Sequence, residues 1–257
     1  MKVHFVTFAD TKLSNYSKKI AGDAQKSGFY DVVHTYDENT LDKDFLEKHG
    51  DFIKNNKRGY GYWIWKPQVC IQTFEKMEDG DILVYADVGC VVNPKGVKFH
   101  EFYLQMAIDQ DYTVIDQMFI EAHWTKGDIF KALDAYEHAN TGILYATNFY
   151  LKKTPENVKL VKDWLEWCSN YNLLTDVPSV NSNLHGFVEN RHDQSFFSLL
   201  NKKMGRKCVP VSMDHIVLIY KGNYEPLIDY PLWYLRVFKD TSFRNVLRHY
   251  GIRPDGL

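Results

Sequence analysis

Residues Ile82 to Ala86 read ILVYA, five apolar or aromatic side chains with no polar alternation, and the run ends at Asp87. A strand with one solvated face alternates; a strand covered on both faces does not, so this run predicts an interior parallel strand of an α/β sheet. Asp87 then stands at the carboxyl end of that strand. In open α/β sheets the ligand crevice lies outside those ends, which makes Asp87 the first candidate for chemistry. Val88, Gly89 and Cys90 follow and lead into a second extended piece.

The neighbours of this strand are legible too. Val3 to Phe8 (VHFVTF) is β-branched and aromatic and breaks at Ala9-Asp10-Thr11, where polar residues suit a helix start. In SNYSKKIAGDAQKSG, Tyr16, Ile20 and Ala24 recur four apart and Gly28 supplies a C-cap. Asp31 to Tyr36 (DVVHTY) reads as the next strand. Strand, helix, strand is a βαβ unit, which crosses over right-handed into a parallel sheet and brings the turn after Phe8 to the same crevice as Asp87. A helix is predicted from Pro67 through Met77, with Cys70, Phe74 and Met77 on one stripe. Further on, Tyr112 to Ile115 and GILYA (Gly142 to Ala146) read as strands, and KGDIFKALDAY between them as a helix. Thr154-Pro155-Glu156 opens a helix with Val158, Val161, Leu165 and Cys168 on one stripe and Trp164 and Trp167 beside it. A last helix is predicted from near Asp193 to before Gly205. No repeat or linker interrupts the 257 residues, so the chain reads as a single α/β domain, with residues 1–100 as a nucleotide-type half and 101–257 as an elaborated half.

A chain with 45% hydrophobic and 25% charged residues buries a sizeable core. Its formal net charge of -2 gives no electrostatic reason to expect nucleic acid as a partner. No signal-type segment and no run of about 18 apolar residues occurs, so a cytoplasmic protein is expected. The four cysteines form no Cys-x-x-Cys pair and read as reduced thiols.

Three clusters carry candidate chemistry. Asp87 is either a carboxylate capping the turn after a strand or an oxygen ligand for Mg²⁺ or Mn²⁺. Gly89, two positions on, lets a ligand approach the backbone closely. RGYGYWIWKP, Arg58 to Pro67, is either an aromatic plug between helix and sheet or a loop that stacks on a planar ring or sugar while Arg58 or Lys66 meets a phosphate. Lys66 sits just before the proline-started helix, where an anion is doubly favoured. In ENRHDQS, Asp193 either caps the helix that follows or, flanked by His192, accepts a proton from a substrate hydroxyl.

The order GYGYWIWKP, a helix, GDILVYADVGC, HWTKGDIF and RHDQSFFSLL resembles a family of small GT-A type glycosyltransferases of polysaccharide and lipopolysaccharide biosynthesis, with members in bacteria and large DNA viruses. The resemblance runs from the first strand to about Gly205. It implies a GT-A-like, Rossmann-like fold: a mostly parallel central sheet flanked by helices, with a nucleotide-sugar half and an acceptor half. It further implies a hexosyl or pentosyl transfer from a nucleotide-diphosphate sugar donor to a glycan or lipid-linked glycan acceptor. On the donor side it places Thr7, Phe8 and Asp10 against base and ribose, and Arg58 and Lys66 near the diphosphate. Asp87 takes the position of the metal-binding Asp-x-Asp, with a divalent cation, Mn²⁺ or Mg²⁺, as cofactor. His192 and Asp193 fall on the acceptor side, with Asp193 and Asp87 as the catalytic pair. The second acid of the metal motif is Gly89 here, so further ligands would come from water or from His185 or His215.

Two rival readings stand beside this one: a non-catalytic carbohydrate-binding or scaffold protein that keeps the fold, and a nucleotidyltransferase, for which FADTKLSN is a poor phosphate loop. The C-terminal stretch PLWYLRVFKDTSFRNVLRHYGIRP mixes Trp233, Tyr234, Phe238 and Phe243 with Arg236, Lys239, Arg244, Arg248 and Arg253. It reads either as a helix packed on the core or as a peripheral membrane contact.

Overall fold

The structure is a computed structural model and describes residues 1–210 and 228–234. In chain order, β1 (Val3–Phe8), α1 (Ser14–Ser27) and β2 (Val32–Tyr36) are followed by α2 (Lys43–Asn55), the short turn α3 (Gly59–Tyr62), α4 (Trp65–Phe74) and β3 (Ile82–Ala86). Next come β4 (Cys90–Val92), α5 (Val97–Gln110), β5 (Tyr112–Thr113), β6 (Ile115–Ile120), α6 (Glu121–Trp124) and α7 (Gly127–Leu133). The rest comprises β7 (Gly142–Leu144), β8 (Asn148–Lys152), α8 (Pro155–Cys168), α9 (Tyr171–Leu174), α10 (Asp193–Lys203), β9 (Val209–Pro210) and β10 (Leu232–Tyr234).

The central sheet has the order β2-β1-β3-β8-β5. β1 pairs in parallel with both β2 and β3. β8 runs antiparallel to β3 and to β5, so four of the five strands share one direction. The expectation for ILVYA therefore holds on one side only: β3 is interior and wholly buried, but its second neighbour is antiparallel. An apolar run reports coverage of both faces and is silent on the polarity of the strand beside it. The two sequence halves share this sheet, since β5 and β8 complete what β1 to β3 begin.

Period-two geometry divides β3 between the two faces. Ile82, Val84 and Ala86 pack with Ile20 and Ala24 of α1 and Tyr103 and Ala107 of α5. Leu83 and Tyr85 point the other way, into a cluster with Val69 and Cys70 of α4, Trp164 of α8 and Phe197 of α10. That alternation aims the Tyr85 side chain at the layer that also supplies Lys66 and Asp193.

Helix ends follow their sequence signals. Gly28 closes α1 with φ 73°, and the Thr154 hydroxyl accepts from Asn157 N at the start of α8, with Pro155 as its first residue. The inward stripe of α8 is Asn157, Leu160, Val161, Trp164 and Cys168, displaced from the expected one because Trp164 takes the core position. α4 begins at Trp65, two residues before Pro67, and ends at Phe74; Met77 lies beyond it and is buried. GILYA is extended only over β7. All four cysteines are free. Trp233, expected in a helix packed on the core or at a membrane contact, is 2% exposed and lies in β10, a strand antiparallel to β4. Phe238, Phe243 and the basic residues from Arg236 to Arg253 lie outside the described residues, as does His215. Among the described residues no helix is long and apolar enough to cross a membrane.

The least regular segment is Gly59 to Trp63, where five consecutive residues have φ between 53° and 83°. Tyr62 N donates to Arg58 O at 2.7 Å and Trp63 N to Gly59 O at 3.1 Å, the bonding of one left-handed helical turn. Each non-glycine residue in that conformation costs about 1–2 kcal/mol. A Cβ on Gly61 would stand 2.7 Å from Ile53 Cγ1, whereas one on Gly28 would meet nothing within 4 Å. In urea unfolding, Gly61→Ala should therefore lose about 2 kcal/mol or more, and Gly28→Ala about 1 kcal/mol.

Candidate functional site

A cleft of about 270 Å³ opens at the carboxyl ends of β1 and β3. Its lining comes from three segments: Phe8 to Asp10 with Lys12 and Leu13, then Lys57, Gly59, Tyr60, Trp63 and Trp65, then Asp87 to Gly89. The βαβ register explains the first and third, since β1 and β3 are adjacent and end side by side. The left-handed turn supplies the second. It directs Tyr60 and Trp63 to the cleft, while Trp65 closes against Phe8 with ring centroids 4.0 Å apart and donates its indole N–H to Gly59 O at 2.9 Å. The wall is thus aromatic, built from Phe8, Tyr60, Trp63 and Trp65.

Behind Asp87 lies a buried charge cluster. Lys66 Nζ sits 3.1 Å from Asp87 Oδ1 and 3.2 Å from Asp193 Oδ2, and donates to Ala146 O at 3.0 Å. The Tyr85 hydroxyl donates to Asp87 Oδ1 at 2.7 Å, and its ring lies under the ammonium at 5.3 Å. The Lys66 and Asp193 side chains are 4% and 5% exposed and that of Asp87 22%, so Asp87 alone of the three faces the cleft. Burial works against the Lys66 charge, yet Asp193 and Asp87 outweigh it and hold the ammonium above its ordinary range. Burial raises the Asp193 carboxyl to about 7; Lys66 opposes that rise and Asp87 adds to it.

The expected site residues divide. Phe8, Asp10, Asp87 and Gly89 line the cleft as anticipated. A Cβ on Gly89 would meet no protein atom within 4 Å, so the glycine leaves open space beside Asp87. Thr7 is fully buried and outside the lining. Arg58 does not reach the cleft: it pairs with Asp176 at 2.8 Å and with Glu189 at 3.9 Å. Lys66 is not a free cation at a helix N-terminus but an internal counter-ion. His192 is sealed behind the aromatic loop, its ring 5.4 Å from that of Trp63 and its Nδ1 2.8 Å from Leu174 O. Burial lowers its pKa to about 4, so it is neutral at pH 7. Asp193 opens α10, is 3% exposed and is not among the residues that line the cleft.

Two lining residues escaped sequence reasoning. Lys12 and Lys57 are exposed at the cleft and pair with no carboxylate among the described residues. The dibasic step Lys57-Arg58 was a signal, but the direction of each side chain depends on the turn that follows.

The described residues do not by themselves form the divalent-cation site that the resemblance implies. Among the described residues no three His, Cys, Asp or Glu side chains converge, His185 included. One oxygen of Asp87 is already taken by Tyr85 and Lys66.

Removing Lys66 alone leaves two carboxylates facing each other in the interior. Lys66→Met should cost about 3–5 kcal/mol in urea unfolding at pH 8, and less at pH 5, where Asp193 is protonated. A raised carboxyl pKa stabilises the fold at low pH and loses that contribution as pH climbs from the unfolded value, about 4, through about 7. Asp193→Asn should accordingly gain stability relative to the natural chain between pH 5 and pH 8; a difference independent of pH would refute the raised value.

No family model matches the chain, and no curated protein does. Among solved structures it is similar to a glycosyltransferase involved in the glycosylation of the major capsid of PBCV-1, with 11% identity over 98% of this chain and 100% of that one and a TM-score of 0.48. It is similar to mouse xyloside xylosyltransferase 1 in its apo form, with 8% identity over 91% and 97% of the two chains and a TM-score of 0.44. The glycosyltransferase GlyE of Streptococcus pneumoniae TIGR4 gives 10% identity over 98% of this chain and 60% of that one, with a TM-score of 0.45. At these identities and scores no activity passes from those proteins to this one.

Proposed function

We propose that this chain is a glycosyltransferase that takes a hexosyl or pentosyl group from a nucleotide-diphosphate sugar and delivers it to a glycan or lipid-linked glycan in polysaccharide biosynthesis. The observation that carries the reading is the composition of one cleft: aromatic faces for a base, two lysines that pair with no carboxylate among the described residues for a diphosphate, and a carboxylate at the strand end with open space beside it. The sequence resemblance points the same way. Phe8, Tyr60, Trp63 and Trp65 offer surfaces on which a planar base can stack. Asp10 and Asp87 accept from sugar hydroxyls, and Lys12 and Lys57 meet the phosphate oxygens.

In the transfer the bond from the anomeric carbon to the diphosphate oxygen breaks and its electron pair leaves with the phosphate. The acceptor oxygen forms the new bond and its proton passes to the departing phosphate oxygen. Positive charge develops at the anomeric carbon and negative charge on the leaving group. Lys12 and Lys57 stabilise the second, and fixed charges of this kind are among the largest contributions a site makes. Asp193 acts through Lys66, holding the ammonium that orients Asp87.

Calorimetric titration with UDP, GDP, ADP and a sugar conjugate of each tests the donor class. One series should bind, and Gly89→Leu should abolish that binding while the thermal midpoint stays within about 2 °C, since the added side chain enters open space. Release of nucleoside diphosphate from the conjugate separates an enzyme from a carbohydrate-binding scaffold, which binds without turnover. Binding of none of the probes would overturn the reading.

A further inference from the structure

We propose that the donor site works without a divalent cation: Lys12 and Lys57 supply the two positive charges that the diphosphate requires, and Lys66 pairs with Asp87 from behind so that this carboxylate serves as an acceptor for sugar hydroxyls. The inference rests on the function proposed above and concerns the same cleft.

Three observations carry it. First, the place where a metal would bridge two acids is filled. Lys66 Nζ lies 3.1 Å from Asp87 and 3.2 Å from Asp193, so the two carboxylates already converge on a cation that is part of the chain. Tyr85 gives the shared Asp87 oxygen a second donor at 2.7 Å. A dication on the other oxygen of Asp87 would face a buried ammonium across a single carboxylate, position 89 offers it no acid because it is glycine, and no set of three His, Cys, Asp or Glu ligands converges there among the described residues.

Second, the lining offers cations to an anion. Among the described residues its charged members are Asp10, Asp87, Lys12 and Lys57. Asp87 is paired with Lys66, which it shares with Asp193, and the two lysines pair with no carboxylate among the described residues, whereas Arg58, the neighbouring cation, is consumed by Asp176 and Glu189 outside the cleft. The lysines are thus the cations available to a ligand in this lining, and a nucleotide-diphosphate sugar carries two negative charges. Asp10 remains as a second acceptor for hydroxyls.

Third, the arrangement is rigid where a metal site must be adaptable. Lys66 is held by Ala146 O at 3.0 Å as well as by both acids, and Asp193 is fixed at the start of α10, its backbone carbonyl accepting from the Trp164 indole at 2.8 Å. Opening this cluster to admit a hydrated dication would break a buried salt bridge.

The test uses the full chain and the nucleoside diphosphate that binds best among UDP, GDP and ADP, titrated with EDTA, with Mn²⁺ and with Mg²⁺. The expected dissociation constants agree within about twofold across the three conditions, and the double variant Lys12→Ala/Lys57→Ala weakens binding about tenfold or more, as loss of two charge-assisted hydrogen bonds requires. Single Lys12→Gln and Lys57→Gln variants, both at exposed positions, guard against misfolding of the double one. Gly89→Asp restores a second acid and should make binding weaker in EDTA and recoverable with Mn²⁺. Binding to the natural chain only when Mn²⁺ or Mg²⁺ is present overturns the inference and leaves the proposed function standing, as does undiminished binding by the lysine variants. No binding of any nucleoside diphosphate overturns both.

Discussion

The ammonium of Lys66, held between Asp87 and Asp193 with a backbone carbonyl as third acceptor, ties together three parts of the chain that are distant in sequence: the start of α4, the end of β3 and the start of α10. Desolvating a lysine and two acids costs more than any one pair returns, and the cluster is supported by the three acceptors around Lys66 and the two donors on Asp87. Tyr85 and Ala146 complete the coordination. The position of Asp87, and with it one side of the cleft, is set by this cluster and not by the strand alone.

The opposite wall has a different origin. The left-handed turn from Gly59 to Trp63 is costly in itself and persists because its surroundings over-determine it: Gly61 fits against Ile53, Trp65 bonds Gly59 O, and Tyr60 and Trp65 pack on Phe8. Strain of this kind is found where a surface must be shaped for a ligand. Here it swings two aromatic rings to the cleft side while sending Arg58, one residue before the turn, to the carboxylates of Asp176 and Glu189.

The parts that were legible in the sequence are those encoded locally. Periodicity located β1, α1, β2 and β3, cap chemistry placed the start of α8, and the rule about strand ends put Phe8, Asp10 and Asp87 in one crevice. What escaped is non-local. Nothing in ILVYA reveals that β8 runs antiparallel beside it. The fate of Lys66 depends on Asp193, which reaches it only through the packing of α10 against α8. Choosing between Lys57 and Arg58 required the sign of φ in the following residues, and no hydrophobic pattern reports that. The same limit explains His192, which reads as an acceptor-side neighbour of Asp193 but, with its own positive φ of 54°, lies against the aromatic layer.

The tryptophans give this architecture an optical consequence. Of the six in the chain, Trp63 and Trp65 wall the cleft, whereas Trp164 is wholly buried with its indole bonded to the carbonyl of Asp193. Two indoles therefore stand where an occupant would change their surroundings, and one stands where only the state of the interior can. The intrinsic emission of the molecule includes a contribution from the wall and one from the charged interior behind it, beside those of Trp124, Trp167 and Trp233.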